Sequence, residues 1–172
     1  LAADGRFGEN KMRIYASQNA PFTIMYDSWK AHSRELVPMT PEEGRQKSEV
    51  ILGKVLSNRK PPYSLAGGLF DVLEKSGGDM FKVSNDEIVS WVVKYFSLEG
   101  YDLFPASACA VSSLKQALDA GIVKHDETVM LNVTGGGMLG ATRKGFILKE
   151  PDLILSPDLP AEEIIAAVDK LF

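Results

Sequence analysis

The segment Thr128–Val133 most constrains what this chain can fold into. Its six residues, TVMLNV, place apolar side chains on both faces of an extended strand. Such a strand fits the inside of a parallel sheet that helices cover on both sides. The segment runs directly into Thr134 and the three glycines Gly135–Gly137. In α/β proteins, ligands bind beyond the carboxyl ends of such strands, so these four residues occupy the expected position of a site.

The remaining sequence alternates between strand-like and helix-like patterns. This order predicts an α/β fold with a parallel sheet and helices on both faces. Met12–Ala16 and Met80–Val83 are predicted strands, and Asp152–Leu155 is a further strand candidate. Two capping boxes, Thr40–Glu43 and Ser84–Glu87, mark helix starts. Helices are predicted from Pro21 after an Asn19 cap, from Pro41 to about Leu56, from Leu65, after Ser84, from Pro105, and near Pro160, the last burying Ile164, Ile165, Val168 and Leu171.

Composition limits the class of partner. The chain has 172 residues, enough for one domain with a sizeable core. Its formal net charge is -4 and it has no cluster of Lys and Arg, which argues against nucleic acid and anionic membranes as partners. No apolar run approaches the roughly 18 residues that a membrane span needs. The single cysteine, Cys109, excludes an internal disulfide and fits a reducing compartment, so we predict a cytoplasmic protein.

Two segments could carry chemistry, and each also has a purely structural interpretation. The Thr134 hydroxyl could bond a flat ligand that the glycine backbone approaches closely, or the segment could be a plain turn. It is neither a dinucleotide fingerprint nor a P-loop, because GGG lacks the required spacing, no helical pattern follows at once, and no Gly-Lys-Ser/Thr follows. The turn from Glu99 leads to Pro105, whose helix could face an anion or could simply follow the end of the previous one.

Other reactive residue types give weaker candidates. Arg59 and Lys60 lie in a loop that is either an anion clamp or a solvated connection. Cys109 is flanked by alanines and serines in a predicted helix, which favours packing over reactivity. His32 and His125 are isolated, and no spacing of Cys, His and Asp resembles a zinc site, so we predict no metal.

Six ordered motifs extend from the start of the chain to about residue 145. They are Asp4–Gly8 (DGRFG), Ala16–Phe22 (ASQNAPF), Asn58–Tyr63 (NRKPPY), Gly67–Asp71 (GGLFD), Glu99–Ala108 (EGYDLFPASA) and Leu131–Gly137 (LNVTGGG). Together they resemble the C-terminal stretch of the threonine synthase group of pyridoxal 5'-phosphate (PLP) enzymes, and within it cysteate synthase. The resemblance implies fold type II, the fold of the tryptophan synthase β-subunit.

The resemblance also implies residue roles. Thr134 matches the hydroxyl residue that bonds the pyridine nitrogen of PLP. A neutral partner there leaves the nitrogen unprotonated and favours elimination and replacement over transamination. Gly135 would lie against the ring edge, and Glu99 matches an acidic residue near the cofactor. Pro105–Ser107 would form a wall.

In the group that the chain resembles, the Schiff-base lysine, the asparagine loop for the substrate carboxylate and the glycine-rich phosphate cup all lie earlier in the sequence. The resemblance therefore implies that residues 1–172 are the C-terminal portion of the large domain of a longer enzyme, with no catalytic residue of their own. The opening residues Leu1–Gly5 resemble the end of a helix closed by Gly5, which favours an upstream continuation.

The parent enzyme that the resemblance implies eliminates phosphate from an O-phospho-amino acid and then adds a nucleophile. The nucleophile is sulfite in a cysteate synthase, on the route to coenzyme M, and water in a threonine synthase. Arg59 and Lys60 are candidates for holding the substrate phosphate, and the family implies a homo-oligomer. The alternative is a stand-alone, non-catalytic α/β domain that holds a small ligand at the Thr134 loop.

Overall fold

The computed structural model describes residues 4, 6, 8, 11–147 and 149–172 of the chain. It divides into two compact units, Leu1–Met138 and Leu139–Phe172. The helix end expected at Leu1–Gly5 lies, apart from Asp4, outside the described residues. No helix in the described ranges is long and apolar enough to cross a membrane.

A small parallel sheet lies at the centre of the first unit. It contains β1 (Tyr15–Asn19) and β2 (Asp79–Val83), with Tyr15 opposite Asp79 and Asn19 opposite Val83. Both strands were predicted, although β1 starts three residues later than Met12, whose side chain is exposed. The parallel pairing confirms the α/β class.

Five helices follow the chain through the first unit and two more lie at or beyond its end. They are α1 (Ile24–Lys30), α2 (Pro41–Val50), α3 (Leu69–Ser76), α4 (Asn85–Glu99), α5 (Pro105–Asp119), α6 (Met138–Arg143) and α7 (Ala161–Val168). Two short 3-10 turns, Lys54–Leu56 and Asp169–Leu171, complete the described helices. The helix predicted to run to Leu56 therefore ends at Val50.

Helices cover both faces of the sheet, as predicted. Met80 of β2 packs with Trp29 of α1 and Leu73 of α3. The next residue, Phe81, packs with Ala117 of α5. Successive side chains of a strand point to opposite faces, so α1 and α3 lie on one side and α5 on the other.

Local signals determine the helix ends. The Thr40 hydroxyl accepts the Glu43 N–H at 3.1 Å, and the Glu43 carboxylate accepts the Thr40 N–H at 2.8 Å. Ser84 and Glu87 make the same pair of bonds at 3.2 and 2.7 Å. Both predicted capping boxes are confirmed, and each satisfies N–H groups that the first helical turn leaves free.

The predicted Asn19 cap is wrong. The helix begins at Ile24, and the Asn19 amide instead donates to the Val83 carbonyl at 3.0 Å and accepts the Gly53 N–H at 2.9 Å. Gln18 does the capping from inside β1, because its Oε1 accepts the N–H groups of Met25 and Tyr26 at 2.8 and 2.9 Å.

The strands predicted at Thr128–Val133 and Asp152–Leu155 are not formed. Neither segment is in the sheet, and Met130 and Ile154 expose 83% and 82% of their surface. A strand needs a neighbour that binds its N–H and C=O groups. None of the backbone hydrogen bonds among the described residues involves residues 128–133.

Two further predictions differ from the structure after Gly137. A helix, α6, does begin directly after Gly137, although its six residues carry no pattern that predicted it. Helix α7 follows Pro160 as predicted, but it buries none of its residues within the unit. Ile165, Val168 and Leu171 expose 60%, 38% and 46% of their surface.

The ion pair between Arg34 and Asp71 should make stability depend on acid pH. Hydrogen bonds from Arg34 and then from the Gly67 N–H lower the pKa of Asp71 from its ordinary 3.8 to about 2. A carboxylate with a lowered pKa stabilises the fold above its unfolded pKa, and the contribution disappears as pH falls through the folded value. We expect Asp71→Asn to lower the urea unfolding midpoint at pH 5 and to lose most of that deficit as pH falls from about 4 towards 2.

Asp119→Asn is the control for this effect. Asp119 pairs with Lys115 on an exposed part of α5, and such pairs contribute little. A deficit for Asp71→Asn that is as large at pH 2 as at pH 5 would contradict the role of its charge.

Candidate functional site

Two of the predicted motifs meet in the first unit. Leu103 and Gly136 form an isolated antiparallel bridge. The Phe104 N–H donates to the Gly135 carbonyl at 3.1 Å, and the Gly137 N–H donates to the Asp102 carbonyl at 2.8 Å. The turn at residues 99–104 and the loop at residues 134–137 (the glycine loop) therefore form one structure.

Glycine is required where these segments touch. A Cβ on Gly136 would lie 2.1 Å from the Asp102 carbonyl oxygen, and its φ of +147° is itself unfavourable for other residues. A Cβ on Gly135 would lie 2.8 Å from the ring of Phe104. Gly136 thus allows a close approach of the two backbones that a larger residue would prevent, whereas a larger residue at Gly135 would require the Phe104 ring to move.

Two side chains fix the glycine loop, and sequence reasoning assigned neither this role. The buried Ser107, in the first turn of α5, accepts the Gly135 N–H at 2.9 Å. The Asp102 carboxylate accepts the Met138 N–H at 2.9 Å. The family resemblance implies only a wall position for Ser107, and no local signal distinguishes Asp102, because Met138 lies 36 residues away.

A cleft of about 320 Å³ lies over this structure. It is lined by the glycine loop, which includes Thr134, and by Tyr95, Tyr101, Asp102, Leu103 and Val133. Thr134 is solvent-exposed, and no residue in the described ranges hydrogen-bonds to its hydroxyl. The cleft therefore offers a free hydroxyl donor, two phenol rings and bare peptide backbone to a small ligand.

The other predicted site residues lie elsewhere. Glu99 is exposed at the end of α4 and is not among the residues that line the cleft. Arg59 and Lys60 line a separate depression with Met39, Pro41, Ser57 and Asn58. The structure brings Thr134 and Gly135 together and leaves these three charged residues apart from them.

The structure also describes the surroundings of Cys109 and of the side chains that could bind a metal ion. Burial raises the pKa of the Cys109 thiol to about 11, which leaves it protonated and unreactive at neutral pH. Its side chain packs against Val83 and Ile88, as its alanine- and serine-rich surroundings predicted. In the described ranges, no group of three or more His, Cys, Asp and Glu side chains could hold a metal ion.

No protein-family model matches the chain. The cysteate synthase of Methanosarcina acetivorans is 38% identical over 167 residues, which cover 95% of this chain and 40% of the relative. That of Methanocella paludicola is 38% identical over 171 residues, covering 98% and 40%. That of Methanoculleus marisnigri is 43% identical over 138 residues, covering 80% and 32%. The chain is homologous to the cysteate synthases.

The similarity to cysteate synthases extends over nearly the whole chain, since one alignment covers 98% of it. The chain spans about 40% of the length of the curated cysteate synthases it matches. The predicted relationship is thus confirmed for the part of those enzymes to which the chain corresponds.

Proposed function

We propose that this chain is the C-terminal part of a PLP-dependent synthase of the cysteate synthase type, and that it forms one wall of the cofactor site. The observation that carries the proposal is the Thr134 hydroxyl, which lines the cleft and has no hydrogen-bond partner among the described residues. The homology to cysteate synthases supports the enzyme class. The small parallel sheet would be part of a tryptophan-synthase-β-like fold.

The cleft residues fit the pyridine side of PLP. A flat ring whose nitrogen accepts a hydrogen bond needs one donor in its plane and walls without bulky side chains. Thr134 supplies the donor, and Gly135 lines the cleft without a side chain, while its N–H is bound by Ser107 and its C=O by the Phe104 N–H. PLP, when bound, supplies the electron sink for the reaction.

The chain's own residues would set the electronic character of the site. A threonine hydroxyl is neutral and donates one hydrogen bond, so it holds the ring nitrogen in its unprotonated form. Asp102 also lines the cleft, but its carboxylate already accepts the Met138 N–H. The proposed result is elimination and replacement at the substrate's β-carbon: phosphate leaves O-phosphoserine and sulfite enters. The threonine synthase reaction, with O-phosphohomoserine and water, is the second candidate.

In this proposal, none of the catalytic residues is in the chain. The Schiff-base lysine, the substrate-carboxylate loop and the phosphate cup belong to the rest of the polypeptide, in a cytoplasmic homo-oligomer. Arg59 and Lys60 could hold the substrate phosphate only if that remainder brings their depression to the cleft, and Glu99 would likewise act from outside it.

Thr134→Val in the full-length polypeptide tests the proposal. The valine keeps the shape and removes the donor, and a lost neutral hydrogen bond costs about 1 kcal/mol. We expect PLP to bind about 5- to 10-fold more weakly and its absorption band to shift. Binding is measured by fluorescence titration and the band by absorbance.

Ser90→Ala is the control, because it removes a hydroxyl from an exposed side chain of α4 that does not line the cleft. If Thr134→Val, Ser90→Ala and the unmodified enzyme have the same PLP affinity and spectrum, Thr134 is not at the ring nitrogen. A full-length protein that binds no PLP would overturn the function itself.

A further inference from the structure

We propose that the depression beside α2 binds a phosphate group by itself, with Arg59, Lys60 and Asn58 as the donors. Its volume is about 640 Å³. The residues that line it are Met39, Pro41, Ser57, Asn58, Arg59 and Lys60. None of them lines the cleft over the glycine loop. The proposal therefore requires neither PLP nor the function proposed above.

Gly44 gives the Arg59 side chain its place against α2. A Cβ on Gly44 would lie 2.4 Å from Cδ of Arg59 and 3.2 Å from its Cγ, so the arginine stem lies directly on the helix backbone. Gly44 is in the interior of α2, where glycine is less favourable than alanine, and its φ is not positive. The helix geometry does not require this glycine, whereas the contact with Arg59 accounts for it.

The two cations of the depression have no carboxylate partner. No carboxylate of the described residues forms an ion pair with Arg59 or Lys60, and the lining contains no Asp or Glu. Glu42 and Glu43, in the first turn of α2, instead bind groups of their own helix and its cap. Two positive charges on successive residues are therefore left without compensation by the described part of the chain.

The loop that carries these charges is fixed at both ends. Leu56, which precedes it, packs against the core cluster that contains Leu103. Tyr63, which follows it, is fully buried, and its hydroxyl donates to the Ser33 carbonyl at 2.9 Å. A loop held in this way loses little conformational freedom when a ligand binds.

The three donors match the chemistry of a phosphate group. Oδ1 of Asn58 accepts the Lys60 N–H at 2.9 Å, and the Asn58 amide nitrogen has no acceptor among the described residues. The arginine fork binds two phosphate oxygens at once, and the lysine adds a point charge. A dianion with three terminal oxygens uses this donor set more completely than a carboxylate with one charge and two oxygens. Free phosphate and a phosphate ester share this chemistry.

Titration with inorganic phosphate and with glycerol 3-phosphate tests the proposal. The protein is the full-length polypeptide, loaded with PLP and freed of excess cofactor, at constant ionic strength, and calorimetry measures binding. Glycerol 3-phosphate has no amino group, so it does not react with PLP. We expect a Kd on the order of 1 mM for the phosphate group and no measurable binding of acetate.

The two anions also distinguish the sources of the phosphate group. Similar affinities assign recognition to the group itself, and a difference of about 10-fold or more identifies the free anion or the ester as the ligand. The absence of saturable binding for both anions overturns the proposal. A polypeptide that binds no PLP is titrated in the same way, so a failure of this proposal and a failure of the proposed function are separable.

Arg59→Gln and Lys60→Gln locate the bound anion. Each removes a charged donor, and we expect the phosphate affinity to fall about 10-fold or more in Arg59→Gln and about 5-fold in Lys60→Gln. Arg45→Gln is the matched control, because it removes the same charge from an exposed side chain of α2 outside the depression. Unchanged affinity in both depression variants, or equal losses in all three variants, overturns the proposal.

Gly44→Ala separates the anion site from the stability of the fold. The added Cβ displaces the flexible Arg59 stem, whereas alanine favours the helix. We expect the phosphate affinity to fall about 5-fold while the urea unfolding midpoint stays the same or rises. Full phosphate affinity in this variant overturns the placement of Arg59 on which the proposal rests.

Discussion

Replacing Gly136 with alanine is expected to detach the glycine loop from the turn at residues 99–104. The added Cβ would lie 2.1 Å from the Asp102 carbonyl oxygen, and the φ of +147° adds backbone strain. Strain and overlap of this kind together cost about 3 kcal/mol or more. The first bonds to break are the two that flank the glycine, from Phe104 N–H to Gly135 and from Gly137 N–H to Asp102.

The amides of Phe104 and Gly137 report this change directly. With 1.4 kcal/mol for each tenfold change, their hydrogen exchange should accelerate by about 100-fold or more in Gly136→Ala. In the full-length enzyme, the same variant should lose most of its PLP affinity, because Thr134 and Gly135 are positioned by the bonds that break.

Two glycines nearby serve as graded controls. Gly137 has a φ of +78° but open space around its Cβ position, so Gly137→Ala should cost only about 1–2 kcal/mol of backbone strain. Gly140 in α6 has neither constraint, and alanine there should be neutral or mildly stabilising. If all three variants exchange alike at Phe104, the close contact at Gly136 is not what holds the loop.

The sequence predicts those parts of the fold whose partners lie within a few residues. The capping boxes at Thr40 and Ser84 were found because each is closed by a glutamate three positions later. The parallel sheet was found because the strand and helix patterns alternate. Each of these features carries its own signal in a short window of sequence.

The predictions that fail are those whose partners are distant or lie outside the chain. Thr128–Val133 has the composition of an interior strand, but composition does not reveal that none of the other described residues pairs with it as a strand. Helix α7 has the apolar residues that predicted a buried face, but the described residues of the second unit leave that face exposed. In both cases the pattern specifies a burial that the described residues leave incomplete.

The residues of the candidate site also separate into those that the sequence predicts and those whose partners are too distant in the chain. Thr134 and the glycines were singled out by their position after a strand-like segment and by family resemblance, and the structure brings them to a cleft. Ser107 and Asp102 act on partners 28 and 36 residues away, so only the folded chain reveals them. Glu99 shares the turn but lies outside the cleft lining, because spacing along the chain does not determine which way a helix end faces.

Asn19 and its neighbour Gln18 have different roles because they occupy successive positions of β1. Gln18 and Asn19 are adjacent polar residues, and either could cap the following helix on sequence grounds. Strand alternation sends them to opposite faces, so only Gln18 reaches the N–H groups of α1. Asn19 is fully buried and instead joins the carboxyl ends of both strands to the segment that follows α2.

Asn19→Ala is therefore expected to destabilise the first unit by about 3 kcal/mol. The substitution leaves the buried Gly53 N–H without its acceptor, and an unsatisfied buried donor costs about 1–3 kcal/mol. It also removes the donors to Val83 and to the Asn85 side chain. Urea unfolding monitored by circular dichroism measures the loss.

A double-mutant cycle with Asn85 distinguishes a network from a set of separate bonds. Asn85 accepts the Asn19 amide at 3.1 Å and also binds the Leu52 N–H and the Val50 carbonyl, so both asparagines anchor the same segment. Asn85 is only partly buried, so Asn85→Ala should cost less than Asn19→Ala, about 1 kcal/mol. The double variant should cost less than the two single losses together, because one substitution already releases part of what the other would break. Strict additivity would mean that the two asparagines hold residues 50–53 independently, Asn19 through Gly53 and Asn85 through Val50 and Leu52, and that the bond between their side chains does not couple them.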